Sequence, residues 1–411
     1  MIKLAVRHIV SETGERLKVL IDSSSGLPVF YPNLYSTSQI RGAAKSVATI
    51  QSYFTSIKVL YSWAIEYSVD IEERWRQAEW LKVWEIDSLR DYCSSPLRLH
   101  SGLKSKISNI SNRRPVTSLS VNVPTKYIRM TFIADYLRWL AELLMKTSSR
   151  TLKNEMDLMY KNIKSHRPKK CRVYKSQVDK EPEPAVLKEV LMVLKPGCIN
   201  NPYKDYSLQI RNAVIIALLY YLGIRRGELL NIRVDDVNFV TNEIRIIRRA
   251  DSSMDNRIYQ PLVKTEERVL PLSEQLVEII NEYVINYRTN FLRARRHPYL
   301  FVTHKQGPHQ GKPLSNSGFG KVMSSVQKIA EEFSSVHAHT FRHNWNYIFS
   351  KTLDENEEKC SPEREEQIRS YLMGWKETSG TAATYNKRHI KEKAREAILE
   401  FQNGIINKGG I

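Results

Sequence analysis

Between Lys161 and Pro184 the chain reads KNIKSHRPKKCRVYKSQVDKEPEP, basic at first and then punctuated by proline, with almost no large apolar residue. Such a stretch has no hydrophobic face to bury, so it reads as a linker between domains. It divides 411 residues, 42% of them hydrophobic, into two parts that can each build a core. The expected organisation is an N-terminal β-hairpin or arm over residues 1–35, a helical domain over 36–165, a basic linker over 166–182 and a second domain over 183–411.

Charge is distributed as unevenly as hydropathy. The net charge is +19. Residues 1–180 hold 30 Lys+Arg against 16 Asp+Glu, and residues 181–411 hold 33 against 28, so the first part carries +14 and the second +5. An excess of this size points to a polyanion, above all nucleic acid, or to an acidic membrane surface. The linker either tracks a phosphate backbone or is a solvated tether. The longest apolar run, AVIIALLYYLGI over 213–224, is too short to cross a bilayer and reads as a buried helix. The N-terminus lacks the apolar core of a signal peptide. Cys93, Cys171, Cys198 and Cys360 are far apart and form no CxxC pair, which argues against a disulfide framework. A cytoplasmic protein is expected, nucleoid-associated if bacterial, with no membrane partner.

KLAVRHIV and RLKVLID flank SETGE, a hairpin pattern. TIQSYFTSIKVLYSWAIEY and YIRMTFIADYLRWLAELLM place apolar residues at three- and four-residue steps, which predicts helices in 36–93 and over 127–145. The Ser-, Asn- and Arg-rich segment between them predicts a long loop. In the second domain, helices are expected at EPAVLKEVLMVL, at RNAVIIALLYYLGIRRGELLNI, and over 274–288, 316–333, 340–352, 362–373 and 389–402. NEIRIIRR and RVLPLS read as strands. The fold class is mainly α with small β-sheets.

Four places in the second domain can carry chemistry. In HAHTFRHNW, His339 and His343 are four apart and share a helix face, a spacing that can clamp a metal. That use needs a third ligand and a general base. Only Thr340, Phe341 and Arg342 intervene, and the arginine would repel a cation. The same stretch can instead present His339 and Arg342 to a phosphate. In GIRRGELL, Arg225 follows the end of an apolar helix, with Glu228 one turn on, although many surface helices carry RRxE. In VKTEERVLPLS, Lys264 precedes a turn from which it can reach a phosphate or a leaving oxygen, or simply be solvated. In LMGWKETSGTAATYNKRH, Trp375 follows Gly374, and Tyr385 is either a packing residue or an available hydroxyl.

Taken in order, G-x-R-x-x-E-L, then K-T and a basic residue before Leu-Pro-Leu, then H-x-x-R-H, then G-W and a tyrosine, the chain resembles the tyrosine recombinases, or phage integrase family, over roughly residues 181–400. The resemblance implies a two-domain DNA clamp, a helical core-binding domain plus a mixed α+β integrase-type catalytic domain. It implies a site-specific recombinase or integrase that cuts and rejoins double-stranded DNA through a 3′-phosphotyrosyl intermediate, without ATP, metal or other cofactor. By position, Arg225 and Arg342 match the arginines that clamp the scissile phosphate and hold the charge of its pentavalent transition state. Tyr385 matches the nucleophile and Lys264 the general acid for the departing 5′-oxygen. His339 matches the histidine that binds the phosphate and assists tyrosine deprotonation. Trp375 stands where most members have a second histidine; its indole N–H donates but cannot shuttle a proton. Glu228 and His343 match supporting positions, with Arg226 and His337 as neighbours.

The resemblance further implies a homo-tetramer on paired sites, accessory DNA-bending or directionality proteins, and a C-terminal helix, here 389–402, that docks on a neighbouring copy. Three features depart from the pattern. The interval from Trp375 to Tyr385 is about one residue longer than usual, RADSSMDNRIYQPL is inserted ahead of Lys264, and the first 160 residues match no sharp motif. Competing readings are a catalytically silent DNA-binding protein of the same fold and a topoisomerase that needs no specific site.

Overall fold

The computed structural model describes residues 3–41, 47–97, 120–145, 149–169, 182–355, 361–376, 394–395 and 398–399. It has two compact units, one of Met1–Ser11 and Arg16–Val173, the other of Glu12–Glu15 and Tyr174–Ile411. The loop expected between 97 and 120, most of the linker and most of the expected helix 389–402 lie outside the described residues.

In the first unit, β1 (Leu4–Val10) and β2 (Arg16–Asp22) pair antiparallel, with Leu4 opposite Asp22 and Val10 opposite Arg16. Gly14, at φ +89°, supplies the left-handed backbone that the turn requires. The helices are α1 (Phe30–Tyr35), α2 (Val47–Glu66), α3 (Ile71–Arg76), α4 (Val83–Tyr92), α5 (Val123–Leu144) and α6 (Arg150–Ser165). Asn122 and Ser149 cap α5 and α6 by accepting from the N–H groups of Thr125 and Leu152. The three- and four-residue spacing puts Tyr53, Phe54, Ile57, Leu60 and Trp63 of α2 inside, together with Ile133, Leu137 and Leu140 of α5. Leu20 of β2 and Tyr35 join the same core, and the Asn33 amide clips the hairpin to α1 through both the N–H and the carbonyl of Leu20.

The second unit contains α7 (Pro184–Val193), α8 (Tyr206–Leu222), α9 (Arg226–Asn231), β3 (Val237–Asn238), β4 (Glu243–Ile246), β5 (Arg268–Pro271), α10 (Glu274–Glu282), α11 (Asn316–Val326), α12 (Ala338–Glu355) and α13 (Pro362–Met373). The apolar run seen in the sequence is α8. It is hydrophobic around its whole circumference and lies in the middle of the core, with Val214, Ile215, Ile216, Leu218 and Leu219 fully buried. Each such side chain contributes about 1.5–3 kcal/mol. The strands form an antiparallel sheet in the order β3-β4-β5, with Ile244 and Ile246 facing Leu270 and Arg268. Pro271 is tolerated because β5 is an edge strand.

Several elements are shorter than the sequence pattern suggests: β5 stops at Pro271, and α10 ends at Glu282, where a π-helical turn, Tyr283–Tyr287, follows. The strand expected over NEIRIIRR stops at Ile246, because Arg248 and Arg249 turn away to bind the Thr265 carbonyl and the Asp236 carboxylate. The helix expected over 316–333 ends at Val326, and a short 3-10 turn, Glu331–Ser335, follows. The break lets Phe333 and Val336 enter the core, and Gln327 steadies it by donating to the Val336 carbonyl. Among the described residues, no helix is long and apolar enough to cross a membrane.

Candidate active site

Helix α8 ends at Gly223, whose φ of +59° reverses the chain; a Cβ there would lie 2.8 Å from Trp345 Cγ. This turn delivers Arg225 to the start of α9 with its side chain 26% exposed. The Arg225 N–H donates to Glu228 Oε2 at 3.2 Å, and Arg225 Nη1 lies 3.5 Å from Oε1. Gly227, between them, lets α9 approach the extended segment leading to Lys264: a Cβ would stand 2.4 Å from the Leu262 carbonyl oxygen.

Glu228 is buried and fully engaged. Oε1 accepts from Thr265 Oγ1 at 2.8 Å and Oε2 from Arg268 Nη2 at 2.8 Å. Burial acts to raise its pKa, but Arg268 and Arg342 outweigh burial and hold the carboxyl below the usual range. It is therefore an anion at neutral pH, fixed in place and unable to give or take a proton.

Helix α12 supplies Arg342, which is fully buried. Its Nη1 donates to the Gly223 carbonyl at 2.9 Å and its Nη2 to the Met373 carbonyl at 2.8 Å. The guanidinium carbon lies 5.4 Å from the ring centre of Trp375, a stacking distance for a cation over indole. His339, one turn earlier, reaches the surface of the helix. Burial of part of its ring, then the charges of Arg225, His337, Arg342 and Arg226, holds its pKa below the ordinary histidine value. His343 is 6.3 Å away between ring centres and is pushed down to about 4, by burial first and then by His339, His337 and Arg342. Both rings are neutral at pH 7, able to accept a proton. Among the described residues, no group of three His, Cys, Asp or Glu side chains is placed to hold a metal, so the His339–His343 pair has no third ligand there.

Lys264 is exposed at the end of the inserted segment, next to buried Thr265. The insertion is tied down: Arg257 forks onto Asp255, donates to the carbonyls of Leu230 and Leu314, and stacks over Tyr299. Trp375 is 7% exposed, just beyond Gly374 at the end of α13. Thus Arg225, Glu228, His339, Arg342 and Trp375 gather in one region, with Lys264 on the turn beside Glu228. Tyr385 lies outside the described residues.

The motif order includes Thr265, Arg268 and Gly374, but the sequence alone assigns them no role in this region. A signal for Arg268 was present: period-2 alternation in β5 puts it on the same side as the buried Leu270.

Residues 198–357 match the sequence model of the phage integrase family. That interval contains Arg225, Glu228, Lys264, His339, Arg342 and His343; Trp375 and Tyr385 fall beyond it. The chain is similar to the tyrosine recombinase XerD of Halalkalibacterium halodurans, 24% identical over 147 residues, which cover 36% of this chain and 43% of that protein. It is similar to the tyrosine recombinase XerD of Staphylococcus haemolyticus, 26% identical over 168 residues, covering 40% and 48%. The chain spans less than half the length of these curated relatives. Among solved structures, the XerH site-specific recombinase bound to palindromic difH substrate aligns at 13% identity and TM-score 0.44, covering 76% of this chain and 84% of that one.

Proposed function

We propose that this chain, whose residues 198–357 match the phage integrase family, is a tyrosine recombinase that cuts and rejoins duplex DNA at specific sites through a covalent 3′-phosphotyrosyl intermediate. The observation that supports this reading best is that His339 lies near both Arg225 and Arg342, the two arginines that also act on the buried anion of Glu228. Two guanidinium groups can take the non-bridging oxygens of one phosphate and hold the extra charge of a five-coordinate transition state. Glu228 offsets this cluster of positive charge, and its oxygens are held in place by Thr265, Arg268 and the Arg225 backbone N–H.

In the proposed reaction the Tyr385 hydroxyl oxygen attacks phosphorus as its proton leaves, assisted by the neutral ring of His339. The bond from phosphorus to the 5′-oxygen breaks, and that oxygen takes a proton from the Lys264 ammonium. One phosphodiester is replaced by another, so rejoining by a 5′-hydroxyl needs no ATP and no cofactor. Trp375 stacks beside Arg342, and its indole N–H is the group that would donate to the phosphate. DNA is gripped by the basic first unit as well as by the site, and a homo-tetramer on paired sites, with accessory DNA-bending or directionality proteins, is the assembly this reading expects.

Incubation with DNA that flanks the gene, followed by denaturing electrophoresis, tests the proposal. A covalent protein–DNA species at a reproducible position supports it. Tight binding with no covalent species would favour a silent DNA-binding protein, and relaxation of plasmid lacking any such site would favour a topoisomerase.

A further inference from the structure

We propose that Arg268 is a positioning residue for leaving-group protonation, holding the Lys264 turn against the end of α13; this rests on the recombinase reading above. Arg268 is 5% exposed, so its charge needs partners inside the protein. The Glu228 carboxylate answers that need through Nη2 at 2.8 Å. The remaining donors go elsewhere: Nη1 to Thr265 Oγ1 at 3.2 Å and to the Glu266 carbonyl at 3.4 Å, and Nε to the Leu372 carbonyl at 2.7 Å. One side chain thus bridges the residues following Lys264, the last turn of α13 and the anion beside Arg225.

The backbone closes the same latch. The Glu266 N–H donates to the Gly374 carbonyl at 2.9 Å. Gly374 has φ +61°, and a Cβ there would stand 2.7 Å from Arg268 Nη1 and 2.8 Å from the Glu266 carbonyl oxygen. Only glycine allows the approach. On the opposite side Arg248 donates to the Thr265 carbonyl and to Glu266 Oε1. Lys264 itself is exposed on a flexible four-carbon stem, so the reach of its ammonium is set by this braced backbone. An error of 1 Å in such a group is enough to cost about 10²-fold in rate.

The test uses nicked duplexes carrying the mapped cleavage site, with either the natural 5′-oxygen or a 5′-bridging sulfur at the scissile position. A thiolate leaves without a proton, so a defect in protonation disappears on the sulfur substrate. Lys264→Ala is the reference variant. Arg268→Ala is expected to slow adduct formation roughly 10²-fold on the oxygen substrate, within the range for a lost general acid, and to return to within about 5-fold of the native rate on sulfur. Thr265→Val, which removes one hydroxyl and keeps the shape, is expected to show the same pattern more weakly. It keeps the test valid if Arg268→Ala does not fold.

If Lys264→Ala recovers on sulfur while Arg268→Ala and Thr265→Val stay equally slow on both substrates, Arg268 is only structural and the inference is wrong, with the recombinase reading intact. Native rates for both variants on oxygen would overturn it too. If Lys264→Ala itself fails to recover, Lys264 is not the acid and the positioning role falls with it.

Discussion

Arg342 Nη1 donates to the Gly223 carbonyl at 2.9 Å, joining α12 to the left-handed turn that ends α8. Its other arm reaches the carbonyl of Met373, the last residue of α13. A fully buried guanidinium therefore sits where two helices end, and helix C-termini carry partial negative charge. The nearby Glu228 anion adds to this field. Backbone carbonyls and the Glu228 anion thus both stabilise the charge that the proposed chemistry needs at Arg342.

Truncation of Arg342 should therefore affect folding as well as activity. Arg342→Ala leaves two buried carbonyls without a donor, at a cost on the order of 1–3 kcal/mol each. Urea denaturation should show a loss of about 2–6 kcal/mol by the same reckoning, together with complete loss of DNA cleavage. An unfolding curve within about 0.5 kcal/mol of native, the scatter of ordinary surface changes, would contradict the packing described for this residue.

Gly223 and Gly197 make a controlled pair, since both have positive φ, +59° and +80°. A Cβ at Gly223 would press on Trp345 and Met373, whereas a Cβ at Gly197 would meet nothing within 4 Å. Gly197→Ala should cost about 1 kcal/mol from backbone strain alone. Gly223→Ala should cost about 1–3 kcal/mol more through overpacking. Thermal unfolding of the two variants tests the ranking; equal losses would mean that the α8–α12 contact is looser than described.

Stability should fall in mild acid, and His343 is one cause. Its pKa drops from an ordinary 6.5 to about 4 on folding, because burial, His339, His337 and Arg342 all disfavour the charged ring. Between those two values the unfolded chain binds more protons than the folded one, so stability rises with pH there and is fully retained above 6.5. The slope from this group is at most about 1.4 kcal/mol per pH unit. Chemical denaturation at several pH values between 4 and 6.5 should show His343→Asn with a shallower dependence than native. An unchanged slope would mean that the ring titrates normally in the folded protein.

Much of the site was legible because its parts sit at local landmarks. Arg225 follows a visible helix end, and His339 and Arg342 occupy one face of a visible helix. The continuous apolar run announced α8 and its central place. What stayed hidden depends on partners far apart in the chain. Arg268 binds Glu228 and Leu372, 40 and 104 residues away, and no local pattern records such contacts. The early end of β4 has the same origin, since the ladder is abandoned for the Arg249–Asp236 pair. Propensity sees the strand but not the carboxylate waiting beside it.

The central claim is that Tyr385 becomes covalently joined to DNA. A duplex nicked next to the scissile phosphate releases the short 5′-hydroxyl fragment after cleavage, so the covalent species accumulates instead of being resealed. Native protein should yield an adduct resistant to denaturant, with the phosphate on Tyr385 by mass spectrometry of the trypsinised complex. Tyr385→Phe should bind the same duplex and give no adduct. An adduct that persists in Tyr385→Phe, or that maps to another residue, would contradict the account.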